Sequence, residues 1–111
     1  MAAKTPKVQH NQLYLQTQAE PLCHLDTPAW FAWLETVTSF RYYTQLRIDV
    51  AHGFSRPMRP ISVRREKRRQ GHLWYAYIRT HGRLHKRYVG KSTAVTQDRL
   101  EEVAALLNEM W

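Results

Sequence analysis

The residues best suited to chemistry in this sequence are guanidinium, ammonium and phenol groups, crowded into 61-ISVRREKRRQGHLWYAYIRTHGRLHKRYVGKS-92. The stretch holds ten Lys and Arg with one Trp and three Tyr, against the single carboxylate of Glu66. Guanidinium offers paired, planar N–H donors that match phosphate oxygens or a guanine edge, and a tyrosine hydroxyl bonds phosphate as well. This is the chemistry of holding a polyanion, not of making or breaking bonds. A solvated basic tail needs no aromatics, and a core strand does not need this many charges. Rings and charges must therefore share one exposed surface.

Bond-making chemistry finds little to work with. Carboxylates are scarce outside the last helix and the N-terminal region, and Glu66 alone cannot supply the several acidic ligands of a metal-dependent nuclease. No Ser/His/Asp set, P-loop or Gly-rich phosphate loop occurs. Cys23 and His24 are adjacent, and His72, His81 and His85 follow no CxxC, HxxxH or CxxC…H spacing, so neither metal nor cofactor is expected. The reading is a non-enzyme.

Charge along the chain sharpens this. The net charge is +8, yet residues 41–91 hold 14 of the 17 Lys and Arg with only Asp49 and Glu66 beside them, a local balance of +12. The flanks carry 3 basic and 7 acidic residues, a balance of −4. Such asymmetry within one small domain points to a polyanionic partner, nucleic acid ahead of an acidic protein or a membrane surface. A hydrophobic content of 43% with 12% aromatics is that of a globular chain, and 111 residues suit one domain. No apolar run approaches the roughly 20 residues that span a bilayer. The opening MAAKTPKVQHNQ lacks a secretory h-region, and one cysteine permits no internal disulfide, which together suggest the cytoplasm.

The elements that must position the basic residues follow from pattern. Residues 1–25 lack periodicity and read as a flexible or irregular arm in which Lys4 and Lys7 could touch phosphate but are expected to be solvated, leaving 26–111 as one α+β domain. In 26-DTPAWFAWLETVT-38, Thr27 suits the N-cap and Pro28 the first helical position. Trp30, Trp33, Leu34 and Val37 then share one face of a short helix over about 28–36, with core packing as the expected use of both tryptophans. Residues 38–48 read as a strand and 49–60, with Gly53, Pro57 and Pro60, as a loop. Three strands come next, Ile61 to Arg69, His72 to Thr80 and Arg83 to Val89, joined by two-residue turns at Gln70-Gly71 and His81-Gly82. Thr96 caps a final helix whose stripe is Leu100, Val103, Ala104, Leu107 and Trp111, with a staple between Val95 and Leu100.

Side chains alternate across a strand, so two-residue turns give two faces. Val63 then lies opposite Ile78, Arg65 opposite Ala76 and Trp74 opposite Val89. Ile61, Val63, Trp74, Ala76, Ile78 and Val89 face the C-terminal helix. Ser62, Arg64, Glu66, Arg68, Tyr75, Tyr77, Arg79, Lys86 and Tyr88 face outward. A three-residue first turn would instead bring Arg65, Lys67 and Arg69 outward, and the surface is basic in either register. The tyrosines also have a purely structural use, as cross-strand pairs covered by arginine.

The order strand–turn–strand–turn–strand–helix, with 73-LWYAYIRTHGRLHKRYVGKSTAVTQDRLEEVA-104, resembles the arm-type DNA-binding domain of phage and transposon integrases. There a three-stranded sheet backed by one helix enters the major groove. The shared features are Trp74 opening the second strand, the basic tip His81-Gly82-Arg83-Leu84, and Tyr88 near the end of the third. The segment is also similar to the N-terminal region of some LuxR-type ATP-dependent regulators, where a WYAY…KxYxGxS run precedes the ATPase. The resemblance covers about residues 61–107. It implies a bacterial, stand-alone module that binds duplex DNA in transcription regulation or as a recombination accessory factor.

The expected fold is thus a three- to four-stranded antiparallel sheet packed on one face by a C-terminal helix, with a short N-terminal helix at its edge. The expected contacts are Arg64, Arg68, Tyr75, Tyr77, Arg79, Arg83, Lys86, Tyr88 and Lys91. RNA or single-stranded nucleic acid is the nearest alternative, since tyrosines on a basic sheet also stack bases. A protein adaptor is another, docking a partner or a second copy through the tryptophan-rich helix and Trp111.

Overall fold

The structure, a computed structural model, describes residues 5–15, 19–44, 47–49 and 55–109. Strands β1 (Lys7–Gln9), β2 (Gln12–Tyr14) and β3 (Cys23–His24) precede helix α1 (Pro28–Leu34). Then come β4 (Ser39–Tyr42), β5 (Arg47–Asp49), β6 (Ser55–Pro57), β7 (Ile61–Arg68), β8 (Gly71–Thr80) and β9 (Arg83–Gly90). A short 3-10 turn over Ser92–Ala94 leads into helix α2 (Gln97–Asn108). Lys4, Gly53 and Trp111 lie outside the described residues.

The class is α+β, as expected, but the sheet is larger and mixed. Seven strands run in the order β3-β2-β1-β4-β7-β8-β9, while β5 and β6 form a separate two-stranded pair. Every neighbouring pair in the large sheet is antiparallel except β1 with β4, which is parallel. The segment expected as an irregular arm supplies three of these strands. Its apolar residues explain why: Val8, Leu13 and Leu25 are buried in the common core. His10 and Asn11, both at positive φ, make the two-residue turn whose twist suits a hairpin. The expected strand over 38–48 is two strands, and the expected loop over 49–60 contains β6.

The β7–β9 meander forms with two adjustments. Arg68 pairs with Gly71, so the first turn is Arg69-Gln70 and Gly71 opens β8 at φ 112° instead of closing the loop. Val63 consequently lies opposite Ala76 and Arg65 opposite Trp74, a slip of two residues that leaves every side chain on its expected face. The second turn is His81-Gly82, both at positive φ, as expected. A bulge then sets Trp74 opposite Gly90 and Tyr75 opposite Tyr88, leaving Val89 as the extra residue. At Gly90 a side chain has no room, because a Cβ would stand 2.8 Å from that of Ala94.

Both helices cover the same face of the sheet. Thr27 caps α1 by accepting from the Trp30 amide, and Thr96 caps α2 by accepting from the Arg99 amide. Asp26 reaches across to accept from the Gln97 amide at 3.0 Å, which ties the two helix starts together. Between helices and sheet lie Trp30, Leu34, Phe40, Val63, Trp74, Ala76, Leu100, Val103 and Leu107, all essentially fully buried. Trp30 meets Phe40 edge-on at 5.3 Å, and Phe40 meets Trp74 at 5.6 Å. Each buried indole N–H has a partner: Trp30 donates to the Val95 carbonyl at 2.8 Å and Trp74 to the Ser92 hydroxyl at 2.9 Å. No described helix is long and apolar enough to cross a membrane.

A polar contact joins sheet and helix beside this core. The hydroxyls of Tyr42 and Thr44 both donate to the Glu101 carboxylate. Burial holds the Tyr42 phenol well above the usual tyrosine range, with the bond to Glu101 and the nearby charges of Glu101, Asp26 and Asp98 acting in the same direction. A folded-state value above the unfolded one gives stability that is complete below the unfolded value and is lost as pH rises beyond it. From about pH 10 upward the unfolded phenol ionises while the folded one does not, a loss of up to about 1.4 kcal/mol per pH unit. Urea unfolding between pH 8 and 11, where a tyrosine titrates, is expected to show this decline in the wild type. Tyr42→Phe should give a flatter profile over the same range, beginning from a lower stability at pH 8 by roughly 1–2 kcal/mol.

Candidate nucleic-acid interface

The sheet's other face carries no helix among the described residues. Because β7, β8 and β9 alternate, it collects Ser62, Arg64, Glu66 and Arg68, then Tyr75, Tyr77 and Arg79, then Leu84, Lys86 and Tyr88. The register extends this surface past the expected meander. Arg41 of β4 lies beside Ser62, and Lys7 of β1 lies beside Arg41 on one side and Tyr14 of β2 on the other. Lys7, Arg41, Arg64, Arg68, Arg79 and Lys86 thus run across one continuous face, with Glu66 as its single carboxylate among the described residues.

Rings and cations on this face are layered. The Arg68 guanidinium lies 5.0 Å and the Lys86 ammonium 4.3 Å from the centre of the Tyr75 ring. Arg64 stands 5.3 Å from the Tyr77 ring, and Lys7 stands 5.8 Å from that of Tyr14. Tyr75 meets Tyr88 edge-on at 5.5 Å across the strands. The phenols are half-buried under the charges, apart from Tyr88, which stays 47% exposed. Such contacts hold long side chains near the sheet and fix where their charges stand. Glu66 accepts from Arg68 and, at 3.0 Å, from Lys86, so this end of the face is partly neutralised. Arg41, Arg64 and Arg79 make no ion pair among the described residues.

Seven of the nine expected contacts therefore stand together: Arg64, Arg68, Tyr75, Tyr77, Arg79, Lys86 and Tyr88. Arg83 and Lys91 do not. Arg83 pairs with Thr80 and shares the side of His85, whose ring bonds the Thr80 hydroxyl at 2.9 Å. Lys91 lies beyond the bulge at the start of the 3-10 turn. Arg65, left open by the register, points to the helix side and donates to the Glu35 carbonyl at the end of α1, a favourable place for a cation. Lys7, Tyr14 and Arg41 are the members that pattern reading missed. Their signal was present as Val8 and Leu13 flanking the turn residues His10-Asn11, and as the alternation of Arg41 with Phe40 and Tyr42.

No three His, Cys, Asp or Glu side chains gather around a common point among the described residues. Burial pushes the Cys23 thiol up, away from the thiolate form. Comparison with protein families, with characterised proteins and with solved structures finds no match for this chain.

The Glu66 ion pairs are largely exposed and should add little to stability. Glu66→Gln is expected to lower the unfolding free energy by less than about 1 kcal/mol in urea titrations. Added salt should narrow the difference, because it screens the repulsion between Arg68, Lys86 and their neighbours that the carboxylate had offset.

Proposed function

We propose that this chain is a non-catalytic DNA-binding module that lays the open face of its sheet against the duplex. The observation that carries the reading is the face itself, where six cations, four of them over tyrosine rings, lie across five adjacent strands with one carboxylate among them in the described residues. A surface built for solubility alone gains nothing from segregating its charge in this way. Phosphate neutralisation by Lys7, Arg41, Arg64, Arg68, Arg79 and Lys86 supplies the affinity, and the arginines nearest the groove floor supply any reading of base edges. The β7–β9 strands backed by α2 have the shape that the integrase-arm resemblance implies, and β-ribbon readers dock in this manner. A role in transcription regulation or as a recombination accessory factor fits the same surface.

Two observations favour the duplex over single strands. Stacking a base requires a free ring face, and the rings of Tyr75 and Tyr77 already carry Arg68, Lys86 and Arg64. Tyr88 alone of the three meander tyrosines counts as exposed. At α1 the adaptor reading finds little support, since Trp30 is fully buried and Trp33 packs against the core.

Fluorescence anisotropy of random duplex DNA, single-stranded DNA and RNA across a salt series tests this. Duplex binding is expected to be strongest, with log affinity falling by about 0.9 per log unit of salt for each phosphate engaged. Arg79→Gln combined with Lys86→Gln should weaken binding and reduce that slope by roughly 2 with the fold intact. An unchanged slope in the double variant would remove this face from the interface, and no binding of any nucleic acid near physiological salt would sink the reading.

A further inference from the structure

One end of the open face is not flat. A groove of about 270 Å³ opens there, and its lining includes Arg41, Arg59, Ser62, Arg64, Tyr77 and Arg79 but, among the described residues, no Asp or Glu. Guanidinium groups around one small polar space repel one another unless something fixes them, and Arg41, Arg64 and Arg79 are each held by a neutral partner. Arg41 donates to the Ser62 hydroxyl at 3.4 Å, Arg64 lies over the Tyr77 ring, and Arg79 donates to the Gly82 carbonyl at 3.4 Å. Arg59 is fixed at both ends. Its backbone amide and carbonyl bond the side chain of the fully buried Asn108 at 2.7 and 3.1 Å, and its guanidinium donates to the Arg79 carbonyl at 2.7 Å. A hydroxyl, a ring and a carbonyl orient Arg41, Arg64 and Arg79 without cancelling their charge. At the other end of the face Glu66 neutralises Arg68 and Lys86 directly.

We infer that this groove is a discrete pocket for a single phosphate group of the nucleic-acid backbone, with Arg41, Arg64 and Arg79 as its ligands and Arg59 fixed as its wall. The inference rests on the nucleic-acid reading for its occupant and on the groove for its geometry. A phosphate there receives several charge-assisted hydrogen bonds from donors already in place, which makes it a positioning contact. The remaining cations attract the polyanion; this pocket sets where it sits.

Two measurements on the full chain separate the pocket from its occupant. In the first, arginine Nε–H resonances are followed by NMR during titration with inorganic phosphate at constant ionic strength. Saturable shifts confined to Arg41, Arg59, Arg64 and Arg79 are expected, whereas non-saturating shifts spread over all arginines would overturn the pocket. In the second, duplex DNA affinity is compared between two charge-matched double variants whose folding is checked by circular dichroism. Arg41→Gln with Arg64→Gln should cost about tenfold or more. Arg83→Gln with Arg87→Gln, exposed on the other side of β9, should cost far less. Equal losses would mean diffuse attraction and overturn the inference even if DNA binds. Saturable phosphate binding by a chain that binds no nucleic acid would overturn the occupant and the functional reading together.

Discussion

Two buried indoles set the terms for the rest of this fold. Trp30 and Trp74 bring large apolar surfaces to the core, yet each also carries an N–H that must not be left without a partner. Both find one in the short connection between β9 and α2, at the Val95 carbonyl and the Ser92 hydroxyl. That connection is thereby pinned over β8 and β9, and α2 must start where Asp26 and Thr96 cap it. From there its stripe of Leu100, Val103, Ala104 and Leu107 has a single course, along β8 and β9. An unsatisfied buried group costs about 1–3 kcal/mol. Against a typical total stability of about 5–15 kcal/mol, two such groups are decisive. Arg99 follows from the same placement: it reaches the Tyr88 and Val89 carbonyls and blunts part of an edge strand that could otherwise pair with another chain.

With both helices committed to one face, the other face of a seven-stranded sheet has to live in water. A strand face there needs side chains that are apolar near the backbone and polar at their tips. Tyrosine, arginine and lysine meet that need, each ring covering backbone and each long stem covering ring. Solvation alone could be met by threonine, glutamine and a balanced mixture of charges. The composition actually present, with Arg64, Arg68, Tyr75, Tyr77, Arg79, Lys86 and Tyr88 side by side, goes further and turns a structural necessity into a field of one sign.

How much of this could be read in the sequence follows from how local each signal was. Thr27, Pro28 and Thr96 mark helix starts through bonds within one turn, and both caps form at the expected residues. The two faces of the meander were legible because alternation has a period of two, and the actual slip in register was also two. The position of the first turn was not. Gln70-Gly71 reads as a hairpin pair, but the turn falls one place earlier, on Arg69-Gln70, with Gly71 opening β8, and the choice between these turns depends on cross-strand packing. The β1–β2 hairpin was harder still. Each strand has three residues with one buried side chain, too short for a period to register, and its stability comes from β4, some thirty residues away. Lys7 and Arg41 joined the face only because that parallel pairing exists, which no local pattern announces.

Charge is separated between the two layers as well as along the chain. Asp98, Glu101, Glu102 and Glu109 belong to α2 or its C-cap on the covered side, while the open side of the sheet presents a single carboxylate among its cations. Keeping so many like charges together opposes folding through self-repulsion. The fold limits that cost by stacking cations on rings and by placing Glu66 between Arg68 and Lys86. It does not spread them over the surface, which would be the simpler remedy for stability alone. The resulting field, concentrated on the open face, turns that face toward any polyanion before contact is made. Because Glu66 quiets only one end, the field is also graded along the sheet, strongest where Arg41, Arg64 and Arg79 stand without a carboxylate partner among the described residues. A bound duplex would therefore meet a surface with both a front and a direction.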